Sequence, residues 1–219
     1  MPACRIRPCC ITATLSATVH TSSWSWVTSS AVVPAAWRIS RRSVASRSRS
    51  VAVAVENAPA RQRWDAYTPE DHLVWATLYR RRMETLASTG SRVFLDGAQA
   101  IGLGDATVPR LSEINVRLER RTGWSAVPVG GFLPAPEFFA SLAVRRFPTT
   151  VTIRAMDSLD YTPAPDIFHD VFGHVPLHAD PAFARFLQRF GQLAARAERE
   201  EHVVAMTRLF WFTVEFGLV

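Results

Sequence analysis

Apolar side chains recur every three or four residues over most of the chain from residue 64 onward, and this spacing predicts helices. The first helix is predicted to begin at Thr68 and Pro69, because threonine is a favourable N-cap and proline fits the first helical turn. Val74 and Leu78 then share one apolar face. The chain is therefore predicted to fold mainly as packed amphipathic helices.

Later segments continue this pattern. Further helices are predicted from Pro109 to Gly123, over 136–146, from Pro165 through a pair of histidines, from Asp180-Pro181, and over 200–216. One short strand, TTVTIR at Thr149–Arg154, is predicted from its β-branched residues. VPVGGFLP at 127–134 is predicted to be a loop that can approach a ligand closely, because it combines two glycines with flanking prolines. The predicted fold class is mostly α with few short strands.

The first 55 residues differ from the rest of the chain. They hold seven arginines, no acidic residue and all three cysteines, and they lack helical or strand periodicity. Such a composition suits an organellar transit peptide, although a wrong start site or an out-of-frame translation is the preferred explanation. We expect residues 1–58 to be disordered and residues 59–219 to form one partial domain, cut off at its C-terminal end.

The formal net charge of +6 belongs to that first segment, because the remaining residues carry eighteen arginines against nineteen acids. This balance gives no reason to expect a nucleic-acid partner. No apolar run is long enough to predict a membrane span. Since the body has no cysteine, we expect a protein of the reducing cytoplasm. A monomer is expected.

Two histidines and a glutamate are the strongest candidates for chemistry. His169 and His174 lie in PDIFHDVFGHVP, and Glu215 lies in the aromatic stretch LFWFTVEFG. Two histidines and one carboxylate can occupy one face of a metal and leave the other open, as in non-haem Fe(II) oxygenases. Residues five apart point about 140° away from each other in a regular helix, so a break at Gly173 and Pro176 is predicted.

Several neighbours of these residues bear on the metal hypothesis. A carboxylate among aromatic side chains is costly unless it is paired or bound to a metal, which favours Glu215 as a ligand. Asp166 and Asp170 can accept hydrogen bonds from the histidines or contact a cofactor. Arg154 is either a surface cation or a clamp for a substrate carboxylate. From the residues alone, ordinary surface or core histidines remain an alternative to a metal site, whereas a zinc hydrolase is disfavoured because HExxH is absent.

Longer stretches carry a family resemblance. YTPEDHLVWATLYRRR, VPVGGFLPAPEFFASLAVRRFP, TIRAMDSLDYTPAPDIFHDVFGHVPL and WFTVEFGL resemble, in this order, the pterin-dependent aromatic amino acid hydroxylases, above all the bacterial phenylalanine 4-monooxygenase type. The resemblance implies the helical catalytic domain of that family. It also implies Fe(II) held by His169, His174 and Glu215.

The resemblance further implies the other site residues. Tetrahydrobiopterin or a related tetrahydropterin would lie near Val129, Gly131, Leu133, Phe138 and Asp170, with Phe138 stacked on its ring, and the substrate would be bound by Arg154, Thr162, Pro163 and Trp211. The implied reaction uses O2 and the pterin to hydroxylate L-phenylalanine to L-tyrosine. Tyrosine or tryptophan as substrate, and a non-functional truncated fragment, are the alternatives left open.

Overall fold

The computed structural model describes residues 60–131 and 133–215. The expectations of disorder over residues 1–58 and of a truncated C-terminal end lie outside this described part. Within it, six α-helices carry most of the structure: α1 Pro69–Thr89, α2 Arg92–Ala100, α3 Leu111–Thr122, α4 Ala135–Ala143, α5 Pro181–Ala194 and α6 Glu200–Phe210. Strands β1 Ser125–Val129 and β2 Arg146–Thr150 complete the regular elements. The predicted fold class, mostly α with few short strands, is confirmed.

Local sequence signals explain where several helices begin and end. The hydroxyl of Thr68 accepts the N–H of Asp71, and the Asp71 carboxylate accepts the N–H of Thr68, so α1 begins with a full capping box. Gly123 ends α3 with a left-handed φ of 73°, a conformation that glycine adopts at little cost. Asp180 caps α5 through its carboxylate. These three predicted boundaries are confirmed.

The two strands form a parallel pair, with Ser125 opposite Arg146 and Val129 opposite Thr150, and α4 is the crossover between them. This β–α–β unit corrects three predictions. The strand over Thr149–Arg154 lies three residues earlier, the loop predicted over 127–134 begins with strand residues, and the helix predicted over 136–146 ends at Ala143. The bounds of these elements depend on the pairing of strands that are distant in sequence. Local residue propensities contain no information about that pairing.

A single core is built from the inner faces of these elements. Its largest fully buried side chains include Trp75, Phe94, Trp124, Phe139 and Phe210. Helix α4 packs against α5, and α2 packs against the segment that follows the two histidines. Within the described residues, no helix combines the length and apolarity needed to cross a membrane.

Helix α2, which the sequence pattern did not predict, touches the histidine segment backbone to backbone. A Cβ atom at Gly97 would lie 2.1 Å from the carbonyl oxygen of Pro176. Only a residue without a side chain allows α2 to come this close.

Asp166 anchors the other end of the histidine segment. Its carboxylate accepts the N–H of His169 (2.9 Å) and of Arg154 (3.0 Å), together with Nε (2.8 Å) and Nη2 (2.9 Å) of the Arg154 guanidinium. Burial alone would raise the pKa of Asp166, but the hydrogen bonds and charge of Arg154, with the two backbone N–H groups, hold it below its usual range. Asp166 is therefore ionised in the folded protein.

Gly97→Ala should destabilise the protein by about 1–3 kcal/mol, since the added methyl group overlaps the Pro176 carbonyl and outweighs the helix propensity of alanine. Gly104→Ala is the matched control, because no atom lies within 4 Å of a Cβ at that position. Urea unfolding of both variants measures the difference. Equal stabilities would show that α2 and the histidine segment are not in close contact.

Asp166→Asn should cost about 3 kcal/mol at neutral pH, because it leaves the Arg154 charge buried without its partner. The two side chains are only 5% and 10% exposed. Since the pKa of Asp166 is depressed in the folded state, its contribution is complete above about pH 4 and is lost as pH falls through the folded pKa. The difference in unfolding free energy between wild type and Asp166→Asn should therefore narrow below pH 4.

The control for that measurement is Asp96→Asn, in the exposed ion pair of Arg92 and Asp96. Exposed pairs contribute little, so this variant should follow the wild type at every pH. Parallel curves for wild type and Asp166→Asn down to pH 2 would contradict a depressed pKa at Asp166.

Candidate metal centre and adjoining cavity

The two histidines are carried by a π-helix, Phe168–His174, which continues directly into a 3₁₀ turn, Val175–Ala179. Residues five apart are hydrogen-bonded neighbours in a π-helix, so His169 and His174 share one face. Their Nε2 atoms lie 3.2 Å apart. The predicted break at Gly173 and Pro176 is wrong, because a wider helical turn brings the rings together without interrupting the helix.

Glu215 reaches the same point from the end of the chain's last described element. A second π-helical turn, Trp211–Glu215, follows α6 directly. It places Glu215 Oε2 3.4 Å from His174 Nε2 and 3.8 Å from His169 Nε2. Within the described residues these three side chains form the one group of this kind whose ligand atoms could share a metal ion.

The three groups shift one another's pKa values. Burial raises the pKa of Glu215, but the charge and hydrogen bond of His174, with the charge of His169, outweigh burial and leave it lowered. Burial lowers the pKa of His174, whereas Glu215 and Asp170 more than compensate and leave it raised. For His169, burial and the neighbouring His174 keep the pKa below its usual value. A carboxylate and at least one neutral imidazole are therefore available together.

This donor set suits a divalent transition metal. Two imidazole nitrogens and one carboxylate oxygen converge from one side, and thiolates, which structural zinc sites favour, do not take part. Three protein ligands on one face are the pattern of non-haem Fe(II) sites. The residues present therefore fit an iron ion.

A cavity of about 240 Å³ opens beside the three side chains. Eleven of the twelve predicted site residues line it: Val129, Gly131, Leu133, Phe138, Thr162, Pro163, His169, Asp170, His174, Trp211 and Glu215. The remaining one, Arg154, is not part of the lining. The structure thus brings the metal-ligand candidates and the residues expected near a pterin into one space.

The cavity lies at the carboxyl ends of the parallel strands, where α/β units commonly bind ligands. Val129 ends β1, and Thr150 ends β2. The N–H and hydroxyl of Thr150 both donate to Asp170 Oδ2, at 2.7 and 2.8 Å. Burial raises the pKa of Asp170, although the charge of His169 and the two hydrogen bonds from Thr150 act in the opposite direction. Its carboxylate is thus fixed against the end of β2.

Sequence reasoning missed five residues of this lining: Phe147, Pro148, Thr150, Ala164 and Pro165. The first three belong to β2, whose bounds were predicted too late in the chain. Phe147 lies against the ring of His174, with ring centroids 5.4 Å apart. A correct pairing of β2 with β1 is the signal that would have placed the three β2 residues at the site.

Arg154 contacts Asp166 and Leu159 outside the cavity lining. Two N–H groups of its guanidinium bind Asp166, and Nη1 lies 3.4 Å from the carbonyl oxygen of Leu159. The side chain is buried rather than a surface cation. A planar guanidinium that is held on one edge can still present donors from its other edge.

A third histidine, His178, is buried behind His174. Its Nδ1 lies 2.9 Å from the His174 carbonyl oxygen. Burial lowers the pKa of His178 to about 3, so the ring is neutral. Sequence reasoning did not select this residue, although it lies four positions after His174, just beyond the end of the motif.

A wider cleft of about 500 Å³ lies elsewhere, at the start of α3. Its main cation, Arg110, stacks 3.6 Å from the centre of the Trp64 ring and lies near Asp65 and Glu113. The charge of Arg110 is therefore already paired with neighbouring side chains. The candidate metal ligands of the described residues lie at the smaller cavity instead.

Solved structures share this fold. Phenylalanine hydroxylase of Chromobacterium violaceum, in a crystal structure with bound iron(III) and 7,8-dihydrobiopterin, matches with a TM-score of 0.69 and 40% identity over 71% of this chain and 57% of that one. The iron- and phenylalanine-bound structure of the same enzyme gives a TM-score of 0.67 and 37% identity, over 74% and 58% of the two chains.

Sequence comparison gives the same result. The phenylalanine-4-hydroxylase of Caulobacter vibrioides is 44% identical over 158 residues, which are 72% of this chain and 54% of that protein. The chain spans about half the length of the curated relatives it matches. The family model described as biopterin-dependent aromatic amino acid hydroxylase matches residues 46–219, a range that starts inside the segment expected to be unrelated. The chain belongs to the family of biopterin-dependent aromatic amino acid hydroxylases.

Proposed function

We propose that this protein is an iron(II)- and tetrahydropterin-dependent monooxygenase that hydroxylates L-phenylalanine to L-tyrosine with O2. The observation that carries the proposal is the convergence of His169, His174 and Glu215 on one wall of a cavity. Relatives named phenylalanine-4-hydroxylase, 40–44% identical over about 70% of the chain, support phenylalanine as the substrate. We place the activity in the cytoplasm, in a monomer.

His169, His174 and Glu215 would hold the iron. When bound, the iron would activate O2 for ring hydroxylation with electrons from the pterin. The protein supplies ligands on one side only, so the side facing the cavity stays open for the reactants. The wall on that side is largely apolar, with Leu133, Phe138 and Trp211 among its side chains.

The pterin would lie along the wall formed by Val129, Gly131, Leu133 and Phe138. A flat ring suits this wall, because Phe138 offers an aromatic face and the glycine lets backbone approach closely. Asp170, held by Thr150 through one oxygen, keeps its second oxygen for a ring N–H donor. The amino acid would occupy the space near Thr162, Pro163 and Trp211.

We assign Arg154 to the carboxylate of the amino acid. Asp166 holds the guanidinium through two bonds and fixes its plane, so a carboxylate that meets the opposite edge finds an oriented donor. The same Asp166 binds the N–H of His169. Asp166 thereby holds both Arg154, the proposed substrate clamp, and His169, a proposed metal ligand.

Replacing His169, His174 or Glu215 by alanine should each abolish pterin-dependent tyrosine formation. Iron affinity should fall by at least about 100-fold, because losing a direct ligand weakens metal binding more than losing a group that only hydrogen-bonds to a ligand. Anaerobic Fe(II) titration and chromatographic detection of tyrosine measure the two effects. His202→Ala is the control, since this histidine is exposed on α6.

Retained turnover in one of the three variants would remove that residue from the ligand set. A wild-type chain that unfolds cooperatively but binds no Fe(II) would favour the alternative of a non-catalytic fragment. Competition among phenylalanine, tyrosine and tryptophan tests the substrate, and a preference for either of the last two would replace phenylalanine in the proposal.

Arg154→Lys should raise the KM for phenylalanine by about 10- to 100-fold, because lysine cannot reproduce the planar pair of donors. The KM for phenylalaninamide, which lacks the carboxylate, should change little. Steady-state kinetics with both substrates measure the ratio, and Arg80→Lys, in an exposed pair with Asp105, is the control. An equal rise for both substrates would show that Arg154 acts on the fold and not on the carboxylate.

A further inference from the structure

His178 makes a specific bond to the backbone of a proposed metal ligand. It follows the π-helix by one turn, it is 1% exposed, and its Nδ1 lies 2.9 Å from the carbonyl oxygen of His174. A carbonyl can only accept, so Nδ1 carries the hydrogen and Nε2 carries a bare lone pair. Among the described residues Nε2 has no hydrogen-bond partner.

The surroundings of this ring are aromatic. Ring centroids of Trp124, Phe147 and Phe183 lie 4.6, 4.8 and 5.6 Å from that of His178. An apolar side chain of similar size would fill this cage without leaving a buried nitrogen unsatisfied. Packing therefore does not account for a polar side chain here, whereas the bond to the His174 carbonyl needs a side-chain donor at the position of Nδ1.

The cage also reaches the cavity directly. Phe147 lies against the rings of both His178 and His174, and it lines the cavity. A shift of the His178 ring would therefore displace both the His174 peptide group and the Phe147 ring.

We propose that His178 is a positioning residue of the metal centre, which holds the His174 carbonyl at the junction of the π-helix and the 3₁₀ turn and thereby directs Nε2 of His174 toward the metal. This inference rests on the proposed iron site. Pro176 in the same turn has no N–H to offer, and the side-chain N–H of His178 provides a donor at this junction.

Two nearly isosteric replacements separate the bond from the packing. His178→Asn keeps a donor at the position of Nδ1 but adds an unsatisfied amide oxygen to the cage. His178→Leu has nearly the same shape, suits the apolar cage and has no donor. If His178 only fills space, the leucine variant should match or exceed the asparagine variant in both metal affinity and thermal stability. If His178 positions the ligand, the leucine variant should be the more stable of the two but should bind metal more weakly.

The experiment measures Co(II) affinity, the visible Co(II) spectrum and thermal unfolding of the 219-residue chain and its variants. His178→Leu should unfold at or above the temperature of His178→Asn, bind Co(II) about tenfold more weakly than wild type and show an altered spectrum. His178→Asn should keep wild-type affinity and spectrum. If the leucine variant does not fold, His178→Phe provides a second donor-free side chain that retains a ring.

Thr122→Val is the matched control, since it removes a hydroxyl bond of 2.8 Å to the carbonyl of His178 itself, in the same turn. If Thr122→Val weakens Co(II) binding as much as His178→Leu, general loosening of the turn explains the effect and the specific bond to His174 is overturned. Equal Co(II) affinity of the leucine and asparagine variants also contradicts the positioning role of His178. If the wild-type chain itself binds no Co(II), the proposed iron site is contradicted and the positioning role with it. Failure of the metal site is thereby distinguished from failure of the positioning role alone.

Discussion

The wide turn of the π-helix at Phe168–His174 is the constraint on which the rest of the site depends. It converts a five-residue spacing into a shared face, with 3.2 Å between the Nε2 atoms of His169 and His174. π-Helical turns are rare and less favourable than α-helical ones, and they are often found at functional sites. This one therefore needs support from its surroundings, and the fold supplies it at both ends.

At the N-terminal end the buried Asp166 binds the N–H of His169 and the guanidinium of Arg154. At the other end α2 comes into backbone contact with Pro176 at Gly97, and α3 binds the 3₁₀ turn through Thr122. These supports come from separate parts of the chain, so the π-helix is stabilised only in the complete fold. This is consistent with the view that strained or unusual backbone persists where tertiary contacts determine it.

The sequence sufficed to select the candidate ligands but not to show how the fold brings them together. Histidine, glutamate and arginine are recognisable by type and motif, and the capping box of α1 and the end of α3 at Gly123 depend on local signals. The π-helix, the β1–β2 pair and the role of Gly97 depend on contacts between distant segments, which local spacing does not record. For the same reason the break predicted between the histidines and the late bounds of β2 were wrong.

Three carboxylates lie within a short distance of the proposed iron, and each has a different partner. Asp166 is paired with a guanidinium, and Asp170 accepts two hydrogen bonds from Thr150. These partners are fixed by the fold, and a metal does not need to displace them. Glu215 instead faces the two histidines, so its partners are the other two proposed ligands. Because a carboxylate that is largely removed from water requires compensation, its position between two imidazoles is what distinguishes Glu215 from the two aspartates as a candidate ligand.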